Sequence, residues 1–98
     1  MSLGEAFSKL IERMVVEEFH PKSVKVIAEP SPFGGTYYIE MTLDELPEDV
    51  EFRITEIVNE VEFSFYMPTS FDVEKDGDSY KVRALFVSSG EEGAYAYL

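Results

Sequence analysis

Apolar residues recur along this chain with a period that changes from segment to segment. Phe7, Leu10, Ile11 and Met14 fall at i, i+3, i+4 and i+7, and Val15 and Phe19 extend the same stripe, which is the one-sided apolar face of a helix. Ser2 and Glu5 have the spacing of a capping box at its head, and Glu5 precedes Lys9 by four residues, a favourable orientation for an ion pair. His20-Pro21 closes the helix, because the residue before proline is pushed out of the α region. From Ser23 the period drops to two. Val24, Val26 and Ala28 share one face against Lys25 and Ile27, predicting a strand over Ser23 to Glu29. Pro30-Ser31-Pro32-Phe33-Gly34-Gly35 reads as a turn cluster, and Thr36 to Leu43 resumes the alternation with Tyr37, Ile39, Met41 and Leu43 on one side, predicting a hairpin.

Asp44-Glu45-Leu46-Pro47-Glu48-Asp49 then reads as a helix start, with Pro47 at the first helical position and Glu48, Asp49 and Glu51 in the first turn. Its stripe is Val50, Ile54, Ile57, Val58, Val61 and Phe65. A strand reading competes, since Val50-Glu51-Phe52-Arg53-Ile54 and Val61-Glu62-Phe63-Ser64-Phe65 also alternate. The helix is preferred because it holds one period throughout. Ser70 to Lys75 predicts a strand with Phe71 and Val73 inward, Asp76-Gly77-Asp78 a tight turn, and Ser79 to Val87 a fourth strand with Tyr80, Val82, Ala84 and Phe86 on the core face. Ser88 to Gly93 reads as a link to the apolar end Ala94 to Leu98, which would either add to a sheet edge by strand addition or fray.

A faint internal echo runs through this order. His20-Pro21-Lys22-Ser23-Val24-Lys25-Val26 reappears as Met67-Pro68-Thr69-Ser70-Phe71-Asp72-Val73, an offset of 47 from Pro21 to Pro68. The same offset lays Phe7, Leu10, Ile11 and Met14 on Ile54, Ile57, Val58 and Val61. Past the first strand the second copy is four residues shorter, so Tyr37, Ile39, Met41 and Leu43 meet Tyr80, Val82, Ala84 and Phe86 at an offset of 43. Duplication of an αββ unit is one reading, and the general resemblance of amphipathic elements is the other. Either gives an α+β protein: two layers, a four-stranded mainly antiparallel sheet with two helices on one face, in the order α-β-β-α-β-β. One domain spans 1–98, as units 1–43 and 44–88 and a tail 89–98.

Charge changes what such a fold is expected to meet. Twenty Asp and Glu against eight Lys and Arg leave a net charge of -12. Broad binding to nucleic acid or anionic membrane relies on Lys and Arg displacing counterions from phosphates, so neither is an expected partner. Basic proteins are. The absence of cysteine excludes disulfides, thiolate metal sites and cysteine nucleophiles. No signal-like or membrane-spanning apolar run is seen, and a cytoplasmic protein is expected.

Candidate chemistry is sparse. Asp72-Val73-Glu74-Lys75-Asp76-Gly77-Asp78 resembles the start of an EF-hand calcium loop, but Arg83 stands where a bidentate Glu is required and the flanks read as strands. An acidic hairpin is the preferred reading. His20 is the sole histidine, too little for a serine triad or a zinc site and better placed as a helix-end residue. The glycines form no phosphate loop. On the outer sheet face Lys25, Lys81 and Arg83 would gather near Tyr38, as on an RNA-binding sheet, but Glu40, Asp72 and Glu74 share that face and would pair with them.

From Glu40 to Glu62 there are nine acids and a single cation, Arg53. Glu56 and Glu60 stand four apart, a like-charge spacing that costs a helix a few tenths of a kcal/mol. The expected function is therefore a non-enzymatic protein-interaction module without cofactor or metal, a homodimer through the outer sheet face or a binder of another protein. Phe33, Tyr38, Glu48, Glu51, Glu56, Glu60 and Glu62 are its candidate contact residues. In size, charge and mixed element order the chain resembles small acidic secretion chaperones, without matched motifs. Two rival readings are a nucleic-acid-mimicking inhibitor of a basic protein, and a carboxylate-based enzyme or weak metal binder.

Overall fold

A computed structural model describes residues 2–32, 34–62 and 67–87. Helix α1 (Leu3–Phe19) leads into β1 (Ser23–Ser31) and β2 (Gly34–Leu43), and helix α2 (Val50–Glu62) into β3 (Ser70–Asp76) and β4 (Ser79–Val87). The strands form one antiparallel sheet in the order β1-β2-β4-β3. The α+β order read from the periodicities is the order of the fold. Phe65 and the segment Ala94 to Leu98 lie outside the described residues.

Each helix is built where its stripe predicts. Ser2 Oγ accepts the Glu5 N–H at 3.1 Å, satisfying one of the orphan donors of the first turn. At the far end His20 takes the left-handed conformation, φ 50°, and its N–H donates to Val16 at 2.9 Å. This is a cap that glycine adopts without steric cost. In α2 the period-3.6 reading wins over alternation: Val50, Ile54, Ile57 and Val58 are buried, whereas Phe52 is 63% exposed.

The start of α2 differs from the expectation. Arg53 N–H donates to the carbonyl of Asp49, the first helical bond, while Val50 N–H reaches Pro47 in a tighter three-residue turn. Asp49 thus holds the N-cap position, which aspartate prefers. Pro47 and Glu48 precede the helix, and only Glu51 lies in its first turn.

The first hairpin also differs. Its strands continue through Pro30↔Gly35 to Ser31↔Gly34, so most of the presumed loop is strand. The second hairpin closes at Asp76↔Ser79 around Gly77, whose φ is 64°. Set against the second hairpin, the first therefore extends each of its strands by two residues at the turn end. An even increment keeps every side chain on its face, whereas an odd one would have turned the core residues outward.

The pairings within the two hairpins are antiparallel and in simple alternation. Val24 faces Met41 as Phe71 faces Ala84. Between the central strands Tyr37 faces Phe86 and Leu43 faces Tyr80, with Glu40 opposite Arg83 midway.

Both helices cover one face. Ile11 and Val15 of α1 and Ile54 and Val58 of α2 are buried over Tyr37, Ile39, Met41, Val82 and Phe86. Helix α1 also lies close along β1, where Ser8 Oγ accepts the Ala28 N–H at 3.0 Å. An edge strand would otherwise present that donor to solvent or to another chain.

Candidate functional site

Where α1 and α2 run side by side they leave an open groove of about 220 Å³. Met14 and Ile57 line it with apolar surface, and Glu17, Glu18, Glu56 and Glu60 complete it with Arg53. The helix period sets this arrangement. Met14, Glu17 and Glu18 lie within one turn and a half of α1, and Arg53, Glu56, Ile57 and Glu60 recur at three and four on one face of α2.

Arg53 is committed to structure. Its Nε donates to Glu18 at 2.7 Å, Nη2 to the Glu18 carbonyl at 3.3 Å, and Nη1 lies 3.6 Å from Asp49. The guanidinium also sits 4.8 Å from the centre of the Phe19 ring, a cation–π contact. The hydrogen bond to Glu18 is the main reason its pKa is raised.

Apart from the Glu18–Arg53 pair, the groove's acids are placed against local stability. Neither helix has a basic residue in its last turn. Glu17 and Glu18 instead stand at the negative end of the α1 dipole, where a cation would be worth about 0.3–1 kcal/mol. Glu56 and Glu60 repel one another on α2. Such an arrangement concentrates negative potential along the groove, which repels anions and attracts cations.

A second cleft of about 310 Å³ adjoins the first, with Phe19, His20, Leu43, Asp44, Glu45 and Pro47 around Glu18 and Arg53. Lys22 bridges nearby to Asp44 at 3.4 Å and to Ser79 at 3.2 Å. Among the described residues no group of three His, Asp or Glu stands close enough to hold a metal ion. No helix among them is long and apolar enough to cross a membrane.

On the opposite side of the molecule the outer sheet face carries a charge network centred on Arg83. Its Nε donates to Glu40 at 3.3 Å, and Nη1 donates to Asp72 and Glu74 at 3.1 Å each. Asp72 and Glu74, the first two acids of the calcium-loop resemblance, are thus turned onto a guanidinium. Tyr38 donates to Glu40 at 3.0 Å. That bond is the main cause holding the Glu40 carboxyl below its usual value, while burial, then Glu40, pushes the Tyr38 phenol up.

The candidate contact residues therefore separate. Glu56 and Glu60 meet in the groove. Glu48 and Glu51 lie at the entry to α2 and do not line it, and Tyr38 is on the far side of the sheet. Phe33 lies outside the described residues. Glu62 is turned inward, where it accepts a hydrogen bond from the buried Tyr37 phenol. Sequence reasoning passed over Met14, Glu17 and Glu18. The signal was present in Glu17-Glu18, two acids at a helix C-terminus, where the dipole disfavours them.

Burial raises the Glu62 pKa above the ordinary 4.5. A carboxyl raised on folding binds more protons folded than unfolded, so its contribution favours the fold at low pH and fades as pH rises through its folded value. Glu62→Gln keeps an acceptor for Tyr37 and removes the charge. Urea denaturation across a pH series is expected to show wild type losing ground to Glu62→Gln between pH 4.5 and neutrality. Wild type gaining on the variant over that interval would reverse the assignment.

The chain matches no protein-family model, no curated protein and no solved structure.

Proposed function

We propose that the protein is a non-enzymatic protein-interaction module whose helical layer receives a basic, amphipathic helix of a partner protein. The observation that carries this reading is the groove: half-buried Met14 and the edge of buried Ile57 are bordered by Glu17, Glu56 and Glu60, while the lone cation, Arg53, is occupied by Glu18 and Asp49. An apolar residue flanked by Lys or Arg one turn away on either side matches this pattern, and helix-in-groove recognition reads such anchors. The net charge of -12 draws a basic partner in and speeds encounter. A basic nucleic-acid-binding protein is one member of that partner class, through which the nucleic-acid-mimicking reading enters.

Fluorescence anisotropy with a labelled synthetic helix of about 18 residues, Leu on one face and Lys on the other, tests the proposal. At about 50 mM salt, where charges act over roughly 14 Å, saturable binding is expected. The double substitution Glu56→Lys/Glu60→Lys is expected to weaken it at least about tenfold, the equivalent of 1.4 kcal/mol. Binding unaffected by that substitution, or no binding, would refute the proposal.

A further inference from the structure

We propose that the outer face of the sheet is a homodimer interface, on which two copies pack face to face about a twofold axis running along the strands between β2 and β4. The register sets Lys25, Glu40, Arg83 and Asp72 in one row across all four strands, positive, negative, positive, negative. The adjacent row is Ile27, Tyr38, Leu85 and Ser70. Ile27 is 44% exposed, and Val87 beyond it 42%.

An axis along the strands lays β1 over β3 and β2 over β4 of the second copy, reversing each row on itself. A row of even length and alternating sign then meets only opposite charges. Lys25 faces Asp72 of the second copy, Glu40 faces Arg83 of the second copy, and Tyr38 covers Leu85 of the second copy. An axis across the strands would instead set each charge on its like, so the row selects one orientation.

The charge of the whole molecule points to the same face. Lys25, Lys81 and Arg83 cancel Glu40, Asp72 and Glu74, leaving Glu29 and Asp76 at opposite corners. The chain carries -12, so most of the net negative charge lies elsewhere and opposes an approach of two copies through their helical layers. The footprint is on the order of 19 Å by 24 Å, from four strands at about 4.8 Å and seven residues at about 3.4 Å. That is about 460 Å², little more than half of the ~800 Å² per partner of standard interfaces before side-chain relief is added, which makes a weak, dissociable dimer. The interface is on the opposite side of the sheet from the groove and stands independently of what the groove binds.

Sedimentation equilibrium at about 0.1 mM, a concentration that populates a micromolar dimer, reads this out. Wild type is expected to be dimeric. Arg83→Glu sets the introduced carboxylate against Glu40 of the second copy and is expected to be monomeric, as is Glu40→Arg. The swap Glu40→Arg/Arg83→Glu restores opposite charges across the axis and is expected to dimerise like wild type. Leu85→Lys, which leaves the Arg83 network in place, is expected to be monomeric and keeps the test valid if a single charge reversal fails to fold by circular dichroism. A monomeric wild type, a dimeric Leu85→Lys, or a folded swap that stays monomeric would each overturn the proposal.

Discussion

Ile54→Ala is expected to destabilise the fold by about 2–5 kcal/mol, while Phe52→Ala changes it by no more than about 0.5 kcal/mol. The two apolar residues are two apart on α2, and their contrast follows from the helical period. Ile54 is fully buried between the helix and the sheet, whereas Phe52 is 63% exposed. Deleting three carbons of Ile54 forfeits their burial and leaves a cavity under a helix of 13 residues that can collapse only by moving as a unit. Small domains have ~5–15 kcal/mol to lose, so the variant would be largely unfolded at modest denaturant. Denaturant titration of both variants decides the matter. Equal losses at the two positions would restore the strand reading of Val50 to Ile54, in which Val50, Phe52 and Ile54 share one face.

Gly4→Ala is expected to destabilise the protein by about 1–2 kcal/mol, although the same change in an isolated helix stabilises by about 1 kcal/mol. A Cβ at Gly4 would lie 2.7 Å from the carbonyl oxygen of Ala28, a backbone atom of β1 with no rotamer to yield. Overpacking of this kind costs about 1–3 kcal/mol. Relief requires the head of α1 to lift off β1, lengthening the 3.0 Å bond from Ala28 N–H to Ser8. Thermal denaturation of the protein, set beside circular dichroism of an α1 peptide, is expected to move in opposite directions. A stabilised protein would mean that α1 does not pack on β1 at Gly4.

The elements most legible in the sequence were those where one period ran unbroken. Phe7 to Phe19 and Tyr37 to Leu43 each commit a whole face to the core, so burial and pattern coincide. Less was legible where backbone chemistry decides. Pro30 and Gly35 are turn formers by composition, yet they sit in paired strands because β1 is an edge strand that tolerates proline and Gly35 packs closely against the Tyr37 ring. Pro47 looked like a helix start until Asp49, two residues on, supplied the better cap.

The site was half legible for a different reason. Glu56 and Glu60 announce themselves as a repulsive i, i+4 pair within one helix, but a groove needs a second wall. Glu17 and Glu18 arrive from 38 or more residues earlier in the chain, through the packing of α1 on α2, which no local pattern encodes. Glu62 shows the converse. By sequence it is one more acid on an acidic helix, and only the fold turns it onto Tyr37. The cross-strand pairs of Arg83 were foreseen because alternation and hairpin register fix which residues oppose one another.

Backbone and methyl chemical-shift mapping, with the basic amphipathic peptide titrated into the labelled protein, shows whether the groove between α1 and α2 receives a basic helix. Met14, Glu17, Glu56, Ile57 and Glu60 are expected to shift together and saturate at one stoichiometry, while Lys25, Tyr38 and Leu85 on the outer sheet face stay in place. Shifts confined to the sheet face, or scattered over all acidic positions without saturation, would contradict groove binding.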